Sequence, residues 1–240
     1  CGLAIEELIG SIKSLLTPEV ENYIDVRRSS AVAAAAEKRK AFDDLVAAKW
    51  DSKPMSPARM MFELSEALPD DAIVVDDSIS NRATMRHYFQ GQKRGDLRAF
   101  RGQSIGGGIG TTMGTQVANP DRPVFGIIGD GSAMMTIQGL WTAANDNIPC
   151  IFVICNNGMY RVLKVNFDVY QREILHQEES AGENLPYSDF PTPFDVSAIA
   201  TSMGVHGERI TDPAEIAPAV QRAVTSGKPA VLDIVIDGSL

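Results

Sequence analysis

The spacing of apolar residues changes character at about residue 50. Before it, residues 4–16 (AIEELIGSIKSLL) carry apolar positions at helical spacing until Thr17-Pro18 stops the run. Residues 30–50 are Ala-rich and charged, a helix by propensity. That helix reads as a surface or connecting element. The Pro-containing break DSKPMS (51–56) is the expected domain boundary. Residues 1–54 are therefore expected to be the helical end of one domain, and 55–240 a second domain.

Beyond the break, short apolar runs alternate with helical periods. SPARMMFELSEAL (56–68) is a helix with Ser56 as N-cap and Pro57 at its first position. AIVVDD (72–77) is a buried strand ending in carboxylates, and SISNRATMRHYF (78–89) a helix. QGQKRGD reads as a loop, LRAFRG as a short strand, and GGGIGTTMGTQVANP (106–120) as a glycine-rich start running into a helix. VFGII and IPCIFVI are strands. Between them Met134, Ile137, Trp141 and Ala144 stand at helical spacing, which predicts one connecting helix. RVLKVNFDVYQREIL reads as a helix, 176–194 as a long polar loop with three prolines, and FDVSAIATSMG as a helix. VHGERI is a strand, DPAEIAPAVQRAVTSG a helix closed by Gly227, and PAVLDIVI the last strand. This alternation predicts an α/β fold: a doubly wound, mostly parallel sheet with helices on both faces.

Composition narrows the partners. A net charge of −9 argues against nucleic acid or an anionic membrane as the main partner. Two of the three cysteines, Cys150 and Cys155, lie in an apolar strand and read as small buried hydrophobes. The expected compartment is reducing and cytoplasmic. The chain opens CGLAIEEL without a Met, which reads as the C-terminal part of a longer polypeptide.

The chemistry concentrates in two turns. GDGS (Gly129–Ser132) and CNNG (Cys155–Gly158) each end an apolar strand of one βαβ unit. Parallel strands joined this way put Asp130 and Asn157 together on one sheet edge, the edge where open α/β sheets bind ligands. A carboxylate and an amide oxygen suit a hard cation such as Mg²⁺. Gly129 and Gly131 permit a sharp turn and close backbone approach. Each turn alone could be a plain strand-to-helix connection, since Gly, Asp and Asn dominate turns. Gly108-x-Gly110-x-x-x-Gly114 with Asp130 about 20 residues on also admits a dinucleotide fingerprint, although that motif should follow a strong strand directly.

GDG, 25 intervening residues (Ser132–Asn156) and then Asn157 resembles the signature of thiamine-diphosphate enzymes. GDGSAMMTIQGLWTAANDNIPCIFVICNNGMY is most similar to the cofactor-diphosphate domain of the benzoylformate decarboxylase and acetolactate synthase group. The resemblance covers about Met55 to the end. It implies that Asp130 and Asn157, with the carbonyl of Met159, ligate Mg²⁺. It implies that Gly131 and Ser132, with the Ser132 hydroxyl, hold the diphosphate. Gly129 and Tyr160 would complete that wall, and Ser78 and Ser80 of DDSISN would meet the diphosphate from the neighbouring strand. Gly106 would lie by the aminopyrimidine, and Ile105 would be the apolar wedge that bends the cofactor (its plainer reading is core packing). Arg161, Val162 and Leu163 would face the substrate, a 2-keto acid cleaved through a cofactor ylid.

In this family a glutamate on a separate pyrimidine-binding domain activates the cofactor across a subunit interface. No residue here matches it, and His87, His176 and His206 match none of the decarboxylase branch's histidines. The resemblance thus implies that this chain alone is inactive. It also implies a homodimer or homotetramer in which a neighbouring subunit's pyrimidine-binding domain completes the site. Acetolactate synthase-like carboligation is the alternative within the class. A noncatalytic cofactor-binding fragment that needs a partner domain is the alternative outside it.

Overall fold

In a computed structural model, residues 2–89, 96–99, 104–177 and 185–239 are described. They fall into two compact units that divide between Ala48 and Lys49. The first unit holds α1 (Gly2–Ser14) and α2 (Pro18–Ala48). Helix α2 is longer than its Ala-rich pattern suggested. It begins at Pro18, whose missing N–H costs nothing in a first turn, and the Thr17 hydroxyl accepts from Val20 N at 3.3 Å. None of its residues is buried within the described structure, and residues 18–29 extend it before the segment expected to be helical.

The unit boundary lies six residues before the expected one. Lys49–Pro54 cluster with the second unit, where Trp50 stacks edge-on against Phe62 at 5.1 Å. The Arg59 guanidinium sits 4.2 Å above the Trp50 ring.

The second unit runs α3 (Pro57–Ala67), β1 (Ile73–Asp77), a 3-10 turn (Ile79–Asn81), α4 (Arg82–Phe89) and β2 (Asp96–Ala99). Next come α5 (Gly108–Ala118), β3 (Val124–Gly129), α6 (Asp130–Met135), α7 (Gly139–Asn145) and β4 (Ile151–Asn156). Helix α8 (Arg161–Val169) continues as a π-helical turn (Tyr170–Ile174). Then follow α9 (Val196–Ser202), β5 (His206–Ile210), α10 (Ile216–Ser226) and β6 (Ala230–Val235). Parts of three expected segments lie outside the described residues: positions 90–95, 100–103 and 178–184. Among the described residues no helix is long and apolar enough to cross a membrane.

The six strands form one sheet in the order β2-β1-β3-β4-β6-β5, with every pair parallel. Side chains alternate between its faces. Phe125, Ile127, Val153 and Leu232 pack with Met60, Leu64, Met85 and Val220, which belong to α3, α4 and α10. Ile128, Phe152, Ile154 and Val231 pack with Ile109, Leu140, Val196 and Ala200, from α5, α7 and α9. Both faces are covered, which is why the strands are apolar throughout. Cys150 and Cys155 are buried in these layers, and burial pushes the Cys150 thiol up to about 12.

One expected element is broken. The single helix between β3 and β4 is two short ones, α6 and α7, and Trp141 of its supposed inner face is exposed. The cause is tertiary. The Thr136 hydroxyl donates to the Gly106 carbonyl at 2.7 Å. Gly139 lies so near Ile109 that a Cβ there would sit 2.8 Å from its Cγ2.

Glycines separate close packing from free space. In β5, a Cβ on Gly207 would collide with the Ser197 carbonyl of α9, whereas Gly114 in α5 has nothing within 4 Å. Gly207→Ala should cost about 2–3 kcal/mol. Gly114→Ala should stabilise by about 0.5–1 kcal/mol. Urea unfolding of the two variants should shift the midpoint in opposite directions.

Candidate functional site

Parallel register sets the site. Asp77 pairs with Ile128, and Gly129 pairs with Cys155, so β1, β3 and β4 end level at one edge. The residues just beyond those ends converge.

Asp77 is fully buried at the end of β1. Its Oδ2 accepts from Gly108 N at 2.9 Å and from the Ser132 hydroxyl at 2.6 Å. The Ser132 oxygen in turn accepts from Gly106 N at 2.7 Å. One carboxylate thus ties β1 to the start of α5, to α6 and to the glycine-rich turn. Its Oδ1 has no hydrogen-bond partner, and burial pushes the carboxyl above its usual range. Gly106 has φ of +91°, and a Cβ there would overlap Met135. Asp76 beside it accepts from Ser78 N and Oγ through one oxygen and from Arg82 Nε at 2.9 Å through the other.

The two turns are joined directly. Asp130 Oδ1 accepts from Gly131 N, and Oδ2 accepts from Gly158 N, both at 2.7 Å. Each oxygen keeps a lone pair for a further partner. Desolvation, opposed by these hydrogen bonds, raises the carboxyl to about 6. Gly158 adopts φ of +68°, which glycine tolerates and which turns the chain after Asn157. The Asn157 side-chain oxygen accepts from Met159 N at 3.2 Å.

Met159 faces Asp189 across an isolated antiparallel bridge. Its hydrogen bonds run from Tyr160 N to Ser188 O at 2.7 Å and from Phe190 N to Gly158 O at 2.9 Å. Met159 is thus the non-hydrogen-bonded member, whose own N–H and C=O point out of the ladder on the Asn157 side. Buried Lys164 of α8 pins this loop through Asp189 Oδ1 at 2.6 Å. The Tyr160 ring crosses Gly131 so closely that a Cβ there would lie 2.5 Å from its Cε1. Phe190 packs edge-on behind it at 4.7 Å.

These elements enclose a cavity of about 320 Å³. Every site residue expected from the sequence lines it except Gly106, which lies behind the wall and braces Ser132. Ile79, Asn81, Met135 and Cys155 also line it. Ile105 is exposed at the mouth, not packed in the core. Two hydroxyls do not face the cavity as expected: Ser78 gives its proton to Asp76 and Ser132 gives its own to Asp77. Asp77, Lys164 and Asp189 escaped the sequence reading. Asp77 left a signal in the paired carboxylates ending its strand. Lys164 left none, because its partner lies 25 residues on in a polar loop.

The donor set excludes some chemistry. Among the described residues no three His, Cys, Asp or Glu side chains converge. A cation here would rely on one carboxylate, one amide oxygen and one carbonyl, a set that suits a hard ion sharing its shell with ligand phosphate and water. The dinucleotide alternative fits poorly, since the Gly108 N–H of its glycine motif is given to Asp77.

Comparisons with known proteins give relatives of this chain. The family described as thiamine pyrophosphate enzyme, C-terminal TPP binding domain, matches residues 80–234. A Mycobacterium tuberculosis protein, IlvX, named as an acetolactate synthase large subunit, is 34% identical over 192 residues, covering 77% of this chain and 36% of that protein. Benzoylformate decarboxylase of Pseudomonas aeruginosa is 30% identical over 182 residues, covering 75% and 32%. The solved structure of a thiamine diphosphate-dependent 4-hydroxybenzoylformate decarboxylase from Rhodococcus jostii superposes with a TM-score of 0.67 at 29% identity. That superposition covers 78% of this chain and 33% of the decarboxylase. The chain therefore spans about a third of the length of the relatives it matches.

Asp77, Asp130 and Asp233 are all raised by burial. The folded chain holds protons there that the unfolded chain has released, so stability falls as pH rises from the ordinary carboxylate range through their folded pKa values. For Asp130, a rise from 3.8 to about 6 makes this an effect on the order of 3 kcal/mol. In cation-free buffer the urea midpoint should decline between about pH 4 and about pH 6, and Asp130→Ala should reduce that slope. An identical slope in the variant would contradict the assignment.

Proposed function

Since this chain belongs to the thiamine pyrophosphate enzymes, as their C-terminal TPP-binding domain, we propose that its cleft holds thiamine diphosphate through Mg²⁺. In the whole protein this domain serves a 2-keto acid decarboxylase of the benzoylformate decarboxylase kind, a carboxy-lyase. The supporting observation is Asp130. It is a buried carboxylate with no cationic partner among the described residues, and it lines the same cavity as Asn157 and Met159. A divalent ion there supplies the missing counter-charge and lowers the carboxyl back towards its ordinary value.

The chain's own groups then divide the work. Asp130, Asn157 and Met159 hold the ion. The Ser132 backbone N–H and the Ser80 hydroxyl, which has no partner among the described residues, receive diphosphate oxygens, with Gly131 and Ser78 lining the cavity beside them. Gly131 must lack a side chain because Tyr160 already fills that space. Ile105 stands exposed at the mouth, free to pack beneath a ligand instead of the core. Arg161, Val162 and Leu163 form the wall towards substrate. Thiamine diphosphate, when bound, supplies a carbon nucleophile and an acceptor for the electron pair left by carbon dioxide.

Among the described residues Asp130 is the one carboxylate lining the cleft, and holding the ion occupies it. The cofactor reading also calls for a proton-handling glutamate. We assign it to a pyrimidine-binding domain in a neighbouring subunit of a homodimer or homotetramer. Carboligation is the second reading, favoured by the 34% identity to the IlvX protein. A product screen on the complete enzyme distinguishes free aldehyde from acyloin or acetolactate-type products.

Isothermal titration calorimetry tests the cofactor assignment. Thiamine diphosphate should bind the chain with Mg²⁺ present and far more weakly with chelator. Asp130→Ala should lower the Mg²⁺-supported affinity by on the order of a hundredfold. NADH binding in place of thiamine diphosphate would overturn the reading.

A further inference from the structure

A second cavity, of about 330 Å³, opens beside the cleft. Its walls carry three arginines, Arg82, Arg86 and Arg161, and no carboxylate. This concentration stands out in a chain of net charge −9. Asp76 neutralises Arg82 at 2.9 Å. Arg86 and Arg161 form no ion pair with any described residue; Arg161 gives Nε–H to the Ser239 carbonyl at 3.0 Å and holds no acid. Two guanidiniums thus face one small space uncompensated.

The cavity adjoins the cofactor cleft: Ile79, Ser80, Arg161 and Val162 line both. Ile79 forms the ridge between them with φ of +49°. A β-branched residue in the left-handed region costs energy, and such strain persists where the surroundings hold it for a purpose. The Ser80 hydroxyl on the same ridge has no hydrogen-bond partner among the described residues. The volume suits a few heavy atoms of a ligand rather than a protein segment. Ala83, Val162 and Val165 give the cavity an apolar wall suited to methylene groups.

We propose that Arg86 and Arg161, with Arg82 behind them, form an anion subsite that selects 2-oxo acids bearing a second carboxylate. The keto carbon would lie in the cleft, and the distal carboxylate would cross the Ile79 ridge to the arginines. Planar guanidinium groups bind carboxylate in pairs of charge-assisted hydrogen bonds, which gives direction as well as attraction. The assignment of the keto carbon rests on the cofactor reading above. The arginine cavity does not.

The test compares two acids of equal length, 2-oxopentanedioate and 2-oxopentanoate, by calorimetry on the 240-residue chain at low salt, with and without thiamine diphosphate and Mg²⁺. The diacid should bind about tenfold or more tightly than the monoacid. Arg86→Gln, an exposed change, should erase that preference while thiamine diphosphate affinity stays at the parent value. Arg161→Gln should weaken the diacid as well. Equal binding of the two acids would overturn the proposal, as would a diacid preference that survives Arg86→Gln. Sulfate bound through Arg86 without any diacid preference would mark a general anion or acidic-partner surface and also overturn it. Failure of thiamine diphosphate to bind would sink the cofactor reading separately, because the acid comparison without cofactor still decides the subsite.

Discussion

The site depends on the level ends of three parallel strands. Because β1, β3 and β4 share one direction and register, the residues after Asp77, Gly129 and Asn156 emerge at a single edge. Asp77 then fixes what lies above that edge. Its one engaged oxygen holds both the Gly108 amide and the Ser132 hydroxyl, and Ser132 holds Gly106. A buried carboxylate is costly to place there. It replaces three separate backbone anchors with one branched network, so the glycine-rich turn and the GDGS turn keep a common position. Asn156 and Asp233 do comparable work one strand over. Asp233 accepts from Asn156, Val196 and Arg209, which fixes the end of the 185–194 loop against the sheet.

On this frame sits a charge that no described cation compensates. Asp130 receives two backbone N–H groups, yet desolvation still outweighs them and raises its carboxyl to about 6. In a purely structural turn, a neutral residue would avoid that penalty. The arrangement around Asp130 points the same way: an amide oxygen and an outward carbonyl from the next turn, held by a loop that Lys164 secures through Asp189. The tight fit of Tyr160 over Gly131 closes the wall without adding a polar group. Folding stability and ligand affinity are thus opposed at Asp130, and a cation relieves the opposition.

Much of this was legible in the chain. The strands, the Ser56 cap, the parallel doubly wound sheet and the convergence of Asp130 with Asn157 follow from local pattern and from the geometry of βαβ units. What stayed hidden depends on partners distant in sequence. The break between α6 and α7 arises because Thr136 bonds to Gly106, 30 residues earlier. Ser132 reads as a ligand hydroxyl until its partner Asp77, 55 residues away, is in place. Lys164 reads as a solvent-facing charge on an amphipathic helix, since nothing local marks Asp189 as its partner. The first 12 residues of α2 form no buried face among the described residues although Val20, Tyr23 and Ile24 stand at helical spacing, and Trp50 joins the second unit through a ring contact that no period encodes.

The central claim is that the GDGS and NNG turns form one cation–diphosphate anchor. The most direct test is a crystal structure of the chain grown with Mn²⁺ and thiamine diphosphate, read by anomalous scattering. The account predicts one strong manganese peak bonded to Asp130, Asn157 and the Met159 carbonyl, with diphosphate oxygens beside it. A peak elsewhere, or a bound cofactor with no metal between Asp130 and Asn157, would contradict it.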